Sequence, residues 1–181
     1  SASWNRGDFI VNGPGHCAAC HTPKNLMFGD ENSEALTGTT LENWFAANLT
    51  GNNVDGLGKW SYEELVKYLT VGQNRYATAA GAMQEKVTLS TSRMTDADRE
   101  AIASYLKSLP ARMPLSRKAP DPKQMQRGQI VFVERCAVCH NPPGLPDQPQ
   151  SGSLPPYPKL GGDTLVIGRD PTTVLRIVLE G

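Results

Sequence analysis

All four cysteines of this 181-residue chain fall in two copies of one five-residue pattern. The first copy is Cys-Ala-Ala-Cys-His at residues 17–21, and the second is Cys-Ala-Val-Cys-His at residues 136–140. An Arg-Gly pair stands shortly before each copy, at residues 6–7 and 127–128. Whatever the chain folds into, it must bring each pair of thiols and the histidine that follows them to one local site.

Three kinds of site use a Cys-x-x-Cys pair. A disulfide within the pair would be a strained redox bridge and not a structural cross-link. A zinc ion held by four thiolates needs both pairs in one place, and zinc ribbons separate their pairs by about 15–20 residues. A whole helical region stands between Cys20 and Cys136. Neither site explains why a histidine follows the second cysteine in both copies.

Cys-x-x-Cys-His is the attachment motif of c-type haem. Two thiols one helical turn apart can form thioethers with the two vinyl groups of a haem, and the next residue then directs its imidazole to the iron. The sequence therefore predicts two c-type haems. The predicted thioether ligands are Cys17, Cys20, Cys136 and Cys139, and the predicted iron ligands are His21 and His140.

An iron bound by histidine on one face needs a second ligand or keeps an open position. Electron-carrier haems commonly use methionine, whose soft sulfur raises the potential. Met83 follows small Ala and Gly residues in a stretch predicted to be a long loop, residues 72–94, where the backbone can approach a haem face. Met94 directly precedes a helix cap and is predicted to be a packing residue. Met83 is therefore the predicted sixth ligand of the first haem.

The pattern of apolar residues predicts a mainly α-helical fold. Residues 61–72 form a predicted helix, which Ser61 can cap and Gly72 can end. Residues 95–110 form a second, with a Thr cap, acidic residues in its first turn and Pro110 at its end. Residues 22–60 are predicted to be rich in loops.

The same order of features restarts after a Pro-rich linker, residues 111–123. A C-terminal helix pattern aligns with the earlier one, so that Ser61 meets Asp170 and Gly72 meets Gly181. We predict two tandem helical domains, residues 1–110 and 124–181, each around a covalently bound haem. The second stops before its Met loop and last helix, so its sixth ligand is not expected in this sequence.

Formal net charge is zero, with 18 basic and 18 acidic residues, so no nucleic-acid partner is expected. No apolar run approaches the roughly 20 residues that span a bilayer. No signal peptide is visible at the start, "SASWNRGDF". Membrane association is therefore expected only through a partner or a missing tail.

Several segments resemble the multihaem cytochrome c subunits of bacterial membrane-associated dehydrogenases. They are "WNRGDFIVNGPGHCAACHTPKN", "GLGKWSYEELVKYLTVGQN", "GAMQEKV", "TDADREAIASYLKSLP" and "RGQIVFVERCAVCH". The resemblance implies two tandem cytochrome c-type domains, the second incomplete, and Met83 matches the "G-x-M" sixth ligand of that family. These subunits serve quinoprotein or flavoprotein enzymes that oxidise alcohols, aldehydes or sugars.

The resemblance implies an electron-transfer subunit and not an enzyme in its own right. Its expected partners are a dehydrogenase catalytic subunit and, as electron acceptor, a quinone or a soluble cytochrome or oxidase. Because haem c is attached outside the bacterial cytoplasm, we expect a periplasmic protein, which can be peripheral to the inner membrane. The alternatives are a dihaem peroxidase-like enzyme with one open haem iron and a haem-based sensor; the only spare histidine is His16.

Overall fold

The computed structural model describes residues 1–112, 119–140 and 160–180. Within these residues the chain is mainly helical, as predicted. The helices are α1 (Ala2–Asn12), α2 (Cys17–His21), α3 (Tyr62–Val71), α4 (Gly81–Leu89), α5 (Asp96–Ser108), α6 (Pro122–Arg135), α7 (Ala137–His140) and α8 (Thr172–Glu180). Two short strands, β1 (Thr39–Leu41) and β2 (Trp44–Ala46), form an antiparallel hairpin.

Helices α1 and α5 pack face to face and form the main contact within residues 1–112. Gly7 allows this close approach, because a Cβ at its position would overlap the carbonyl oxygen of Ala101 on α5. Trp4 meets Tyr105 edge to face at 5.3 Å, and its indole nitrogen donates to Ser108 at 2.7 Å. The pair therefore closes one side of the core.

The two predicted helices at residues 61–72 and 95–110 are confirmed as α3 and α5. Ser61 caps α3 by accepting a hydrogen bond from the amide of Glu64 at 3.1 Å, and Gly72 ends it with a positive φ of 75°. Thr95 caps α5 in the same way, accepting from the amide of Asp98 at 3.2 Å. These caps are local, which is why the sequence predicts them.

The predicted loop at residues 72–94 is wrong, because it contains α4 and a 3-10 turn, Thr91–Arg93. Residues after Gly81 are mostly good helix formers. However, Ala80 at the N-cap position supplies no side-chain hydrogen bond, and Val87 is the one buried residue of α4. The helix therefore carries neither a capping signal nor an apolar stripe that the sequence would reveal.

The hairpin lies inside the region predicted to be rich in loops. Thr39 pairs with Ala46 and Leu41 with Trp44. Glu42 and Asn43 connect the strands with φ values of 51° and 62°. Two consecutive residues with positive φ give the tight turn that suits the twist of a two-stranded hairpin.

After residue 112 the structure describes two parts of the chain, residues 119–140 and 160–180. Helix α6 is capped by Asp121, whose carboxylate accepts from the amide of Lys123 at 3.1 Å, and none of its residues is buried. Residues 160–180, including α8, lie against β2 and the loops around it. The residues that follow the second Cys-x-x-Cys-His motif thus contact the part of the chain that carries the first.

Candidate haem site

The first Cys-x-x-Cys-His motif forms a helix of its own, α2. Cys17 is half-buried and packs against the main apolar core, whereas Cys20 is exposed, and neither forms a disulfide. Burial raises the pKa of the Cys17 thiol, and the charge of Lys86 acts in the opposite direction. Lys86 belongs to α4, the helix that carries Met83.

A backbone carbonyl orients the His21 ring. Its Nδ1 lies 2.6 Å from the carbonyl oxygen of Ala47. Because a carbonyl can only accept, Nδ1 carries the proton and Nε2 keeps its lone pair, which is the form of histidine that binds a metal. Burial lowers the pKa of His21, which also favours the neutral ring. Sequence reasoning missed Ala47, since any residue can supply a carbonyl.

The main chain of His21 is held as firmly as its ring. Its carbonyl oxygen accepts a hydrogen bond from the amide of Gly38 at 2.8 Å. Gly38 has φ of 87°, and a Cβ there would lie 2.7 Å from the carbonyl oxygen of Ala46. Gly38, just before β1, therefore holds the main chain of His21, and Ala47, just after β2, holds its ring.

Met83 lies in the first turn of α4 and is half-buried. The helix begins at Gly81, which has φ of 54°, and the ring of Trp44 fills the space beside it. A Cβ on Gly81 would lie 2.5 Å from an atom of that ring. Trp44 thus fixes the start of α4 two residues before Met83. The ligand role of Met83 stays a prediction.

Met94 packs against the main apolar core, as predicted for a packing residue. Its carbonyl oxygen accepts a hydrogen bond from Nη1 of Arg99 at 2.5 Å. Arg99 is buried and also donates to the carbonyl oxygen of Thr91 at 3.0 Å. The turn before α5 is therefore built around Arg99, with Met94 as part of it.

Buried polar groups around the core fit a haem. Trp60 is buried, stacks on Tyr76 at 5.8 Å and meets Tyr68 edge to face at 5.3 Å. Its indole N–H and the Thr78 hydroxyl find no hydrogen-bond partner among residues 1–112, 119–140 and 160–180. Unpaired buried donors are costly and call for an acceptor. A haem carries two carboxylates and an apolar ring, so these donors and the core that includes Cys17 suit it.

The second motif has the same local form as the first. Cys136 ends α6, and the amides of Cys139 and His140 both donate to its carbonyl oxygen, at 3.2 and 2.9 Å. Cys136 is half-buried and Cys139 exposed, matching Cys17 and Cys20. Residues 141–159 lie outside the described part of the chain.

The zinc alternative finds no support in the positions of the cysteines. Among the described residues, no three His, Cys, Asp or Glu side chains stand together as a metal site would require. Each motif keeps its own pair of thiols, as a separate haem attachment needs.

Within the described residues, no helix is both long and apolar enough to cross a membrane.

Comparison with known proteins agrees with a c-type haem. Residues 9–110 match the family model described as cytochrome c. The cytochrome c subunit of the quinone-dependent alcohol dehydrogenase of Gluconacetobacter polyoxogenes is 32% identical over 97% of the chain and 40% of its own length. The gluconate 2-dehydrogenase cytochrome c subunit of Pantoea cypripedii is 34% identical over 97% of the chain and 43% of its own length.

A shorter match covers 59% of the chain and 35% of a dihaem cytochrome c-type protein of Cereibacter sphaeroides, with 36% identity. The chain thus spans about two fifths of the length of the dehydrogenase subunits it matches. The resemblance drawn from the motifs is confirmed.

Proposed function

The chain belongs to the cytochrome c family, and we propose that it is the electron-transfer part of a dehydrogenase complex. Its relatives from Gluconacetobacter polyoxogenes and Pantoea cypripedii are named as cytochrome c subunits of dehydrogenases. The chain would accept electrons singly from a dehydrogenase catalytic subunit. It would pass them to a quinone or to a soluble cytochrome or oxidase.

The observation that carries this proposal is the His21 ring. Its Nδ1 proton is committed to the carbonyl oxygen of Ala47 at 2.6 Å, so that Nε2 is left as a ligand atom. Cys17 and Cys20 lie on the same short helix, where their sulfurs would anchor the porphyrin. A bound haem supplies a reversible one-electron Fe(III)/Fe(II) couple.

Met83 is the proposed second ligand of the first iron. A thioether is a soft ligand that stabilises Fe(II) and raises the potential. With both His21 and Met83 bound to it, the iron would have no site for a substrate, which suits a carrier. The proposed second haem would be attached to Cys136 and Cys139 and ligated by His140. The dihaem relative supports two haems in this type of chain.

We place the protein in the periplasm, where haem c is attached. The described residues show no helix that could cross a membrane. In our proposal, a partner subunit or other parts of the protein connect the chain to the inner membrane. The dihaem peroxidase alternative gains no support from the relatives, which are named as cytochromes and dehydrogenase subunits.

The test is Met83→Leu, with Met94→Leu as the matched control. Leucine keeps the apolar volume but removes the sulfur, so Met83→Leu should abolish the near-infrared Met–Fe(III) charge-transfer band and lower the potential of the first haem. Met94→Leu should leave both unchanged, because Met94 is a packing residue. The reverse pattern would transfer the ligand role to Met94. Rapid cyanide or CO binding to the unaltered first haem would contradict a carrier.

A further inference from the structure

Residues 160–180, called here the C-terminal segment, contact the loop that holds the main chain of His21. Arg169 donates through Nη2 to the carbonyl oxygen of Gly38 at 2.8 Å and also to that of Thr37. The amide of Gly38 in turn donates to the carbonyl oxygen of His21 at 2.8 Å. The segment is therefore two hydrogen bonds away from the backbone of the proposed histidine ligand.

Helix α8, which belongs to the C-terminal segment, is hydrogen-bonded to strand β2. The Thr173 hydroxyl is buried, accepts from the amide of Phe45 at 2.6 Å and donates to its carbonyl oxygen at 3.4 Å. Phe45 lies two residues before Ala47, whose carbonyl oxygen orients the His21 ring. A hairpin with strands of three residues has little stability of its own. These hydrogen bonds therefore add support where the strand pair needs it.

The same segment reaches the methionine side of the site through Trp44. The guanidinium of Arg176 lies over the Trp44 ring, 4.5 Å from its centroid, and Nη1 donates to the carbonyl oxygen of Glu42 at 3.2 Å. Trp44 also contacts Gly81, at the start of α4. Arg176, Trp44 and Gly81 thus form a chain of contacts that ends two residues from Met83.

We propose that the C-terminal segment is a positioning element for the first haem: by holding β2 it keeps both axial ligands, His21 and Met83, in place. The inference rests on the proposed function, because it takes these two residues as the iron ligands. It goes beyond that function by giving the residues after the second motif a role at the first haem. The two halves of the chain are then coupled, and loosening this contact should free Met83 from the iron more often.

The experiment measures displacement of Met83 by imidazole in the full chain with its haems attached. The signal is the part of the Met–Fe(III) charge-transfer band that Met83→Leu removes, which assigns it to the first haem. Arg176→Ala removes the cation over Trp44. Imidazole should then bind about two- to five-fold more tightly, the range that an exposed cation–π contact supports. Arg176→Lys keeps a cation and should show a smaller change.

Arg6→Ala is the matched control. Arg176 pairs with the Glu180 carboxylate at 2.9 Å. Arg6 likewise lies over an aromatic ring, that of Phe9 at 5.8 Å, and pairs with a carboxylate, that of Asp98 at 2.7 Å. These partners of Arg6 lie on α1 and α5 and not on the elements that carry the two proposed ligands. Arg6→Ala should therefore leave imidazole affinity unchanged. Thr173→Val, which cuts the hydrogen bonds to Phe45 without touching Trp44, should tighten imidazole binding as Arg176→Ala does.

Equal effects of Arg6→Ala and Arg176→Ala would show a general loss of stability and would overturn the proposal. Unchanged affinity in both Arg176→Ala and Thr173→Val would overturn it as well. The reference variant, Met83→Leu, tests a separate point, the identity of the ligand. If Met83→Leu removes no charge-transfer band, Met83 is not the ligand; its proposed ligand role and this inference then fall, while electron transfer by the haems does not.

Discussion

The His21 ring and the start of α4 are each held by a residue far away in the sequence, Ala47 and Trp44. Cys17, Cys20 and His21 stand in one turn of chain, so the sequence alone predicts their joint role. The carbonyl oxygen of Ala47, 26 residues away, accepts from the His21 ring without any side chain to mark it. The same is true of Trp44, whose contact with Gly81 depends on the hairpin turn.

Asp163 is a buried carboxylate that makes stability depend on pH. It is 5% exposed, and its Oδ1 accepts from the amide of Leu165 at 2.8 Å. Burial raises its pKa from 3.8 to about 6, although hydrogen bonds from backbone amides act in the opposite direction. The folded state therefore binds this proton more tightly than the unfolded state. Its contribution to stability is full below about pH 4 and falls as the pH rises through about 6.

The expected test is Asp163→Asn, which keeps an acceptor oxygen but cannot ionise. The free energy of unfolding of the unaltered chain should fall between about pH 4 and 6, and that of Asp163→Asn should not show this fall. The fall attributed to Asp163 is at most about 3 kcal/mol. Urea unfolding at several pH values measures it, and pH effects of the haems cancel between the two proteins. A difference that stays constant with pH would refute the account. Asp98→Asn is the opposite case. The free energy of unfolding that this change removes should grow as the pH rises, since Arg6 lowers the pKa of Asp98.

At the scale of elements, helices with local signals were predictable and the others were not. Helices α3 and α5 carry Ser61 and Thr95 as caps and an apolar face, and the sequence predicts both. Helix α4 has Ala80 at its N-cap position and buries only Val87. The hairpin turn uses Glu42 and Asn43 at positive φ, where the sequence would favour glycine. Tertiary contacts, and Trp44 among them, decide these two elements.

The paired glycines before the two motifs give a direct test of helix packing. Gly7 lies where α1 meets α5, and a Cβ would overlap the carbonyl oxygen of Ala101. Gly7→Ala should therefore cost about 2–4 kcal/mol in the free energy of unfolding. Gly128 holds the equivalent place in α6, and a Cβ there meets no atom within 4 Å. Gly128→Ala should gain about 0.5–1 kcal/mol, the helix propensity of alanine over glycine.

Urea unfolding followed by circular dichroism compares the two glycine variants. Similar losses in both would show that the two helices pack alike. That result would contradict the difference between a packed α1 and an α6 with no buried residue.

For the whole molecule, the sequence predicts the repeat of motifs but not the contacts between its halves. Periodicity and the two copies of Cys-x-x-Cys-His indicate tandem haem units. Nothing local indicates that Arg169, Thr173 and Arg176 bind the loops and strand around His21. Such contacts depend on which surfaces meet in three dimensions, and the short alignment of residues 61–72 with 170–181 does not report them. Division of the chain into separate domains at residues 110 and 124 stays a prediction.

We propose that each motif holds one c-type haem that transfers single electrons. A pyridine haemochrome assay on the intact chain, combined with a redox titration, tests this. Two haems per chain and two one-electron steps are expected. The paired change of Cys136 and Cys139 to Ser should leave one haem and one step, and the paired change of Cys17 and Cys20 to Ser should do the same. Fewer than two haems in the unaltered chain would contradict the account.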